Sequence, residues 1–219
     1  MRWSTESSRC AGSFLCILVV AACAAPAPSG GSARGDMSAR QDIQEQVALG
    51  RHLVISHACS ECHGGNDNPA AAFWLDGDRD PVLQEFKIGP FTTRARNITP
   101  DNTTGLGRFS ERQIFNALRY GLRPGETPDV QITSTIPGQG NFPLHPKYLA
   151  PPMPWPSWRH MSDEDLWAIA AYLKRAVKPV NHKVADSEGP PDFWASEYTV
   201  AKIGSYPAVP FPTANERSR

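Results

Sequence analysis

Cys59-Ser60-Glu61-Cys62-His63 has the C-x-x-C-H spacing of covalent haem attachment. In that chemistry two thiols add to the haem vinyl groups and the adjacent histidine faces the iron. On a helical turn, residues three and four apart share a face, so Cys59, Cys62 and His63 converge on one edge and one axial position of a porphyrin. Two other readings account for fewer of the five residues. A redox dithiol uses the same gap, but it needs a strand and helix around it and has no use for His63. A zinc site wants a second ligand pair at comparable spacing, and no other cysteine pair follows the N-terminal segment.

Upstream of the motif, Arg2 and Arg9 precede an apolar run from Phe14 to Val20 and then Ala21-Ala22-Cys23. That is the pattern of a signal peptide over residues 1–22, and the run is too short to span a bilayer as a mature helix. Val20-Ala21-Ala22-Cys23 resembles a bacterial lipobox, whose cysteine is lipidated after cleavage; an ordinary signal peptide cut nearby is the competing reading. Cysteine parity favours the lipid. Cys10 and Cys16 leave with the signal, Cys59 and Cys62 serve the haem, and an unpaired Cys23 in an oxidising space needs an explanation. The expected location is the periplasmic side of a bacterial membrane. Residues 23–41 are rich in Ala, Pro, Ser and Gly and read as a flexible tether. A formal net charge of zero gives no sign of nucleic-acid binding.

The folded part is expected over 42–179, one domain's worth of chain. Its apolar spacing predicts a helix from about Asp42 to Ala58 leading into the haem motif, with Ile43, Val47, Gly50 and Val54 at three- and four-residue intervals. A second helix opens at Ser110, with Gln113 completing a capping box, and stops at Gly121. A third opens at Ser162, with Asp165 at the box position; acids lie in its first turn, Lys174 and Arg175 in its last, and Pro179 ends it. Proline numbers 21 in 219 residues, about twice the ~5% average share, so long extended loops separate the helices. No alternating run is long enough to predict a sheet.

A histidine-ligated haem iron leaves one axial position, and methionine there makes an electron-transfer centre of raised potential. Met153 lies in Ala150-Pro151-Pro152-Met153-Pro154-Trp155-Pro156, whose prolines exclude helix and stiffen the backbone that would present the thioether. Met161 is placed to staple the third helix, and His145 and His160 are further rivals. Arg94 and Arg96 suit haem propionates or else are solvated charges. Gly89-Pro90 is the expected source of a carbonyl orienting the outer nitrogen of His63. His52, His57 and His182 read as surface or helix-face residues. Asn97-Ile98-Thr99 and Asn102-Thr103-Thr104 fit the glycosylation pattern, here read as coincidence in a loop along the haem edge.

The layout resembles that of class I cytochromes c, in which the first and last helices cross, with Gly50 and Tyr172 expected at the crossing. The resemblance sharpens at Asn97-Ile98-Thr99-Pro100-Asp101, Thr104-Gly105-Leu106-Gly107, Ala117-Leu118-Arg119-Tyr120-Gly121, Pro152-Met153-Pro154, Met161-Ser162-Asp163-Glu164-Asp165-Leu166 and Ala171-Tyr172-Leu173. These stretches look like the mono-haem domains of cytochrome c subunits of membrane-bound alcohol and aldehyde dehydrogenases. The resemblance implies an all-α class I cytochrome c fold with long Pro-rich loops, one covalent haem c with its iron, and His63 and Met153 as axial ligands. It also leaves an irregular C-terminal extension, 180–219, with Phe193, Trp194 and Tyr198 among its aromatics and no counterpart in the family. The chain has one haem motif where those subunits typically carry several.

The leading expectation is a lipid-anchored periplasmic cytochrome that moves single electrons between redox partner proteins and is not itself an enzyme. Its partners would be a dehydrogenase, an oxidase or another cytochrome, docking at the haem edge with Trp155 and Trp158 adding apolar area. The alternative is an electron-accepting subunit of a larger dehydrogenase, with the aromatic tail as subunit contact. A third reading is a haem enzyme or gas sensor in which Met153 dissociates. Burial of Trp194 and Tyr198 would mark the tail as cladding instead of a contact surface.

Overall fold

The computed structural model describes residues 31–79, 85–204, 212 and 214–217. The signal peptide, Cys23 and the start of the tether lie outside the described residues. Helix α1 spans Gly31–Ser56 and is followed directly by the short helix α2, Cys59–His63. The helix thus begins eleven residues before Asp42, inside the segment whose composition reads as a tether. The last proline before it is Pro28, and no residue from there to Ser56 forbids helical φ and ψ. Strands β1, Glu85–Ile88, and β2, Phe91–Arg94, form an antiparallel hairpin. Helices α3, Glu111–Tyr120, α4, Trp155–Trp158, α5, Asp163–Arg175, and α6, Val200–Ile203, complete the order.

The expectation of an all-α chain is therefore corrected to a helical fold with one small two-stranded sheet. Four-residue strands are too short to register as alternation. The turn signal was nevertheless present: Ile88 pairs with Phe91 across Gly89-Pro90, and Gly89 takes φ 53°, the sign a two-residue hairpin loop can need at its first position.

Local chemistry explains the helix ends. The Ser110 hydroxyl accepts from Gln113 N at 3.1 Å while Gln113 Oε1 accepts from Ser110 N at 3.1 Å, so both halves of the capping box form. Gly121 ends α3 in the left-handed region at φ 68°. Ser162 accepts from Asp165 N at 3.0 Å, and α5 stops at Arg175, four residues short of Pro179.

Helix α1 packs on α5, and α5 on α3. At the first contact a Cβ on Gly50 would collide with the Ala168 carbonyl and meet Tyr172 Cβ, so the two backbones touch where the small residue permits it. Beside it Trp74 Nε1 donates to Tyr172 Oη at 3.1 Å. The core around this crossing joins Val54, Leu75, Ile114, Phe115, Leu118, Leu166, Ile169 and Leu173. A second apolar cluster contains Phe91, Leu122, Ile132, Phe142, Tyr148, Trp155 and Trp194. No described helix is long and apolar enough to cross a membrane.

Candidate haem site

The haem motif forms one tight turn. Ala58 joins α1 to α2 at φ 53°, an uncommon conformation for a residue with a Cβ. Between the two cysteines, Ser60 is fully buried and its hydroxyl donates to Asp67, closing the loop that follows the motif. The chain then returns over His63: Gly77 N donates to the His63 carbonyl at 2.8 Å, Leu75 N to Gly64 O at 2.9 Å, and Ile98 N to Leu75 O at 2.9 Å. That ladder lays residues 95–98 against the imidazole.

His63 Nδ1 lies 2.6 Å from the carbonyl oxygen of Arg96. A carbonyl only accepts, so Nδ1 carries the proton and the Nε2 lone pair is left for a metal. This corrects the expectation that Gly89-Pro90 supplies the acceptor. Those residues form the hairpin tip, and the chain reaches His63 only after β2 has returned. Burial lowers the pKa of His63 and outweighs the raising effect of the Arg96 hydrogen bond, which keeps the imidazole neutral. Burial likewise pushes the Cys59 thiol up to about 12, ahead of opposing and reinforcing smaller effects from its own backbone and Cys62. Cys62 is raised by burial and then by Glu61.

Cys59, Cys62 and His63 open onto a cavity of about 840 Å³. Its walls are mainly apolar, with Val54, Ile98, Leu106, Ile114, Leu118, Ile169 and Leu173 among them. Met153 lines the same cavity, whereas Met161, His145 and His160 do not. Met161 packs instead at the edge of the core near α5. The donor set therefore suits haem c: two thiols for vinyl addition, one neutral imidazole, one thioether, and an apolar space of ligand size.

Arg94 and Arg96 also line the cavity, but their hydrogen bonds run to other protein groups. Arg94 pairs with Glu85 and donates to Asp186 O at 3.1 Å; Arg96 donates to Ala185 O at 2.8 Å and Ser187 Oγ at 2.7 Å. Asn97, 3% exposed, is a structural hub whose amide donates to Thr104 Oγ1 at 2.9 Å and Val180 O at 2.8 Å and whose Oδ1 accepts from Thr99 N at 2.9 Å. His57 belongs to the cavity wall, with Nδ1 donating to Leu53 O at 2.9 Å and its ring edge-on to Trp158 at 6.2 Å. His182 is tied down too, donating from Nδ1 to Asp76 O at 2.9 Å. His52 is exposed.

Trp158 borders the cavity, but Trp155 is 0% exposed and stacks on Tyr148 at 5.6 Å, so it adds nothing to a docking surface. Trp194 is 5% exposed and Tyr198 half-buried, with Tyr198 edge-on to Trp155 at 4.9 Å. Trp194 and Tyr198 of the extension thus pack against the second apolar cluster, while Phe193 is 48% exposed.

The cytochrome c family model matches residues 47–176. The chain is 35% identical over 145 residues to the gluconate 2-dehydrogenase cytochrome c subunit of Pantoea cypripedii, covering 66% of this chain and 26% of that protein. It is 36% identical over 135 residues to the cytochrome c subunit of the quinone alcohol dehydrogenase of Gluconacetobacter polyoxogenes, covering 61% and 22%. To the fructose dehydrogenase cytochrome subunit of Gluconobacter japonicus it is 25% identical over 138 residues, covering 62% and 22%. The matched stretch is thus about a quarter of each relative's length. With the motif, the cavity and this match in agreement, the chain belongs to the cytochrome c family and carries covalently bound haem c with its iron.

Proposed function

We propose that this cytochrome is the electron-accepting subunit of a dehydrogenase complex, one haem per chain, with His63 and Met153 as axial ligands. The observation that carries the assignment is the likeness to cytochrome subunits of gluconate, alcohol and fructose dehydrogenases. It favours a place within such a complex over a freestanding carrier. The single haem rests on the single C-x-x-C-H motif, and Met153 on its being the methionine, of those weighed, that faces the cavity.

When bound, haem supplies reversible one-electron chemistry at iron. The chain's residues do the rest. Cys59 and Cys62 would hold the haem through thioether bonds, the Arg96 carbonyl holds His63 in the tautomer that offers Nε2, and the apolar walls would exclude water. With His63 and Met153 both holding the iron, no position would be left open, which favours electron transfer over a haem enzyme or gas sensor. At the N-terminus, the proposal includes export, lipidation of Cys23 and anchoring on the periplasmic side of a bacterial membrane, all resting on the sequence pattern.

The decisive experiment mixes the oxidised protein anaerobically with a catalytic dehydrogenase subunit and its substrate, gluconate or an alcohol, and follows the sharp reduced-haem band. Substrate-dependent reduction is expected. Reduction by dithionite alone, together with ready carbon monoxide binding, would remove the dehydrogenase role and restore the open-iron reading. Mass spectrometry of the mature N-terminus tests the anchor: a diacylglycerol-modified Cys23 is expected, and cleavage elsewhere with a free thiol would refute it.

A further inference from the structure

We propose that residues 180–188, which follow the last core helix of the domain, are a positioning clasp for the axial histidine. The inference rests on His63 being the iron ligand.

The clasp is an extended strip hydrogen-bonded along the segment after β1. Thr92 and Glu188 exchange both backbone hydrogen bonds, at 2.8 and 2.9 Å. Thr93 Oγ1 and Ser187 Oγ are 2.8 Å apart. The guanidinium of Arg96 donates to Ala185 O and to Ser187 Oγ at 2.8 and 2.7 Å, and Asn97 Nδ2 donates to Val180 O at 2.8 Å. Arg96 is thus held from the clasp side by its side chain, while its own carbonyl accepts the 2.6 Å hydrogen bond from His63 Nδ1. One residue separates the clasp from the ligand.

A second route is as short. Gly77 N donates to the His63 carbonyl at 2.8 Å, and Val184, 6% exposed, packs its methyl group against Gly77 where no Cβ would fit. The clasp therefore supports the histidine through both its ring and its main chain. A hydrogen bond from Nδ1–H makes the imidazole a stronger donor and favours ferric iron. Loosening the clasp should weaken that bond and raise the reduction potential.

The test uses the haem-loaded full chain and two variants. Arg96→Lys keeps both the charge and the carbonyl but loses the forked grip on Ala185 and Ser187; Ser187→Ala removes one arm of that grip. Arg96→Lys is expected to raise the midpoint potential and to speed exchange of the His63 Nδ1 proton about tenfold, as loss of one charge-assisted hydrogen bond implies. Ser187→Ala should move both in the same direction by less, and it decides the matter if Arg96→Lys does not fold. Wild-type potential and exchange in the variants, or a lower melting temperature with neither changed, would overturn the clasp. A wild-type spectrum without histidine ligation would instead overturn the underlying assignment, before any variant is made.

Discussion

At the scale of single residues, the site divides into atoms that sequence can display and atoms that it cannot. Side-chain donors have an identity: C-x-x-C-H names two thiols and an imidazole, and prolines around Met153 mark a stiff presenting segment. The carbonyl that accepts from His63 has no such identity, because every residue carries one, and only the return path of the chain selects Arg96 over Gly89-Pro90. The burial of Trp155 escapes the sequence for a related reason. A tryptophan between prolines looks like loop surface, yet Tyr148 and Tyr198 cover it completely. The ligand assignment makes a direct prediction. Met153 faces the cavity and Met161 does not, so Met153→Ala should abolish the weak charge-transfer band that methionine ligation gives ferric haem. Met161→Ala should keep it, and the reverse result would move the ligand to Met161.

At the scale of elements, α3, α5 and the part of α1 from Asp42 onward are legible because caps and periodicity are local, whereas the start of α1 at Gly31 lies in a stretch with neither signal. The hairpin is not legible, because four-residue strands offer too few alternations and the pairing partner is non-local. The helix crossing is where a local signal has a steep tertiary consequence. Gly50→Ala would drive a Cβ into the Ala168 carbonyl, a backbone atom that cannot swing aside, so a loss of at least about 2 kcal/mol is expected in denaturant unfolding of the haem-loaded protein. Removing the α3 cap by Ser110→Ala should cost about 1 kcal/mol by the same measurement. The loop along the haem edge carries a pH signature. Asp101 accepts from Thr104 N at 2.7 Å, Thr104 Oγ1 at 2.8 Å and Thr103 N at 3.0 Å, and these bonds depress its pKa below its ordinary 3.8. A carboxylate with a depressed folded pKa contributes stability above its unfolded value and loses it as pH falls through the folded one. Wild type and Asp101→Asn should therefore differ in melting temperature near neutral pH and converge as the solution is acidified below about pH 4; a constant gap across that range would show that Asp101 does not titrate this way.

At the scale of the whole molecule, the question is what the C-terminal extension adds to a cytochrome domain whose family match ends at 176. The core around α1, α3 and α5 is completed by Val177. The second cluster is different, since Phe91, Leu122, Tyr148 and Trp155 come from the hairpin, the loops and the short helix α4 and are joined by Trp194 from the extension. Trp194 lies 5.1 Å from the Phe91 ring, and Tyr198 closes over Trp155. Its neighbour Phe193, whose ring lies edge-on to Trp194 at 5.1 Å, is 48% exposed. Adjacent aromatics with opposite burial separate two roles for one segment. If the extension is cladding, Trp194→Ala opens a large cavity and should destabilise the protein by about 3–5 kcal/mol. Phe193→Ala should then stay within about 0.5 kcal/mol, as a surface substitution does. If Phe193 is instead a contact for the catalytic subunit, its variant should melt like wild type yet accept electrons from the dehydrogenase more slowly. Thermal unfolding and anaerobic reduction kinetics of the two variants, measured side by side, distinguish these outcomes. A Trp194→Ala protein as stable as wild type would show that the extension does not hold the second core together.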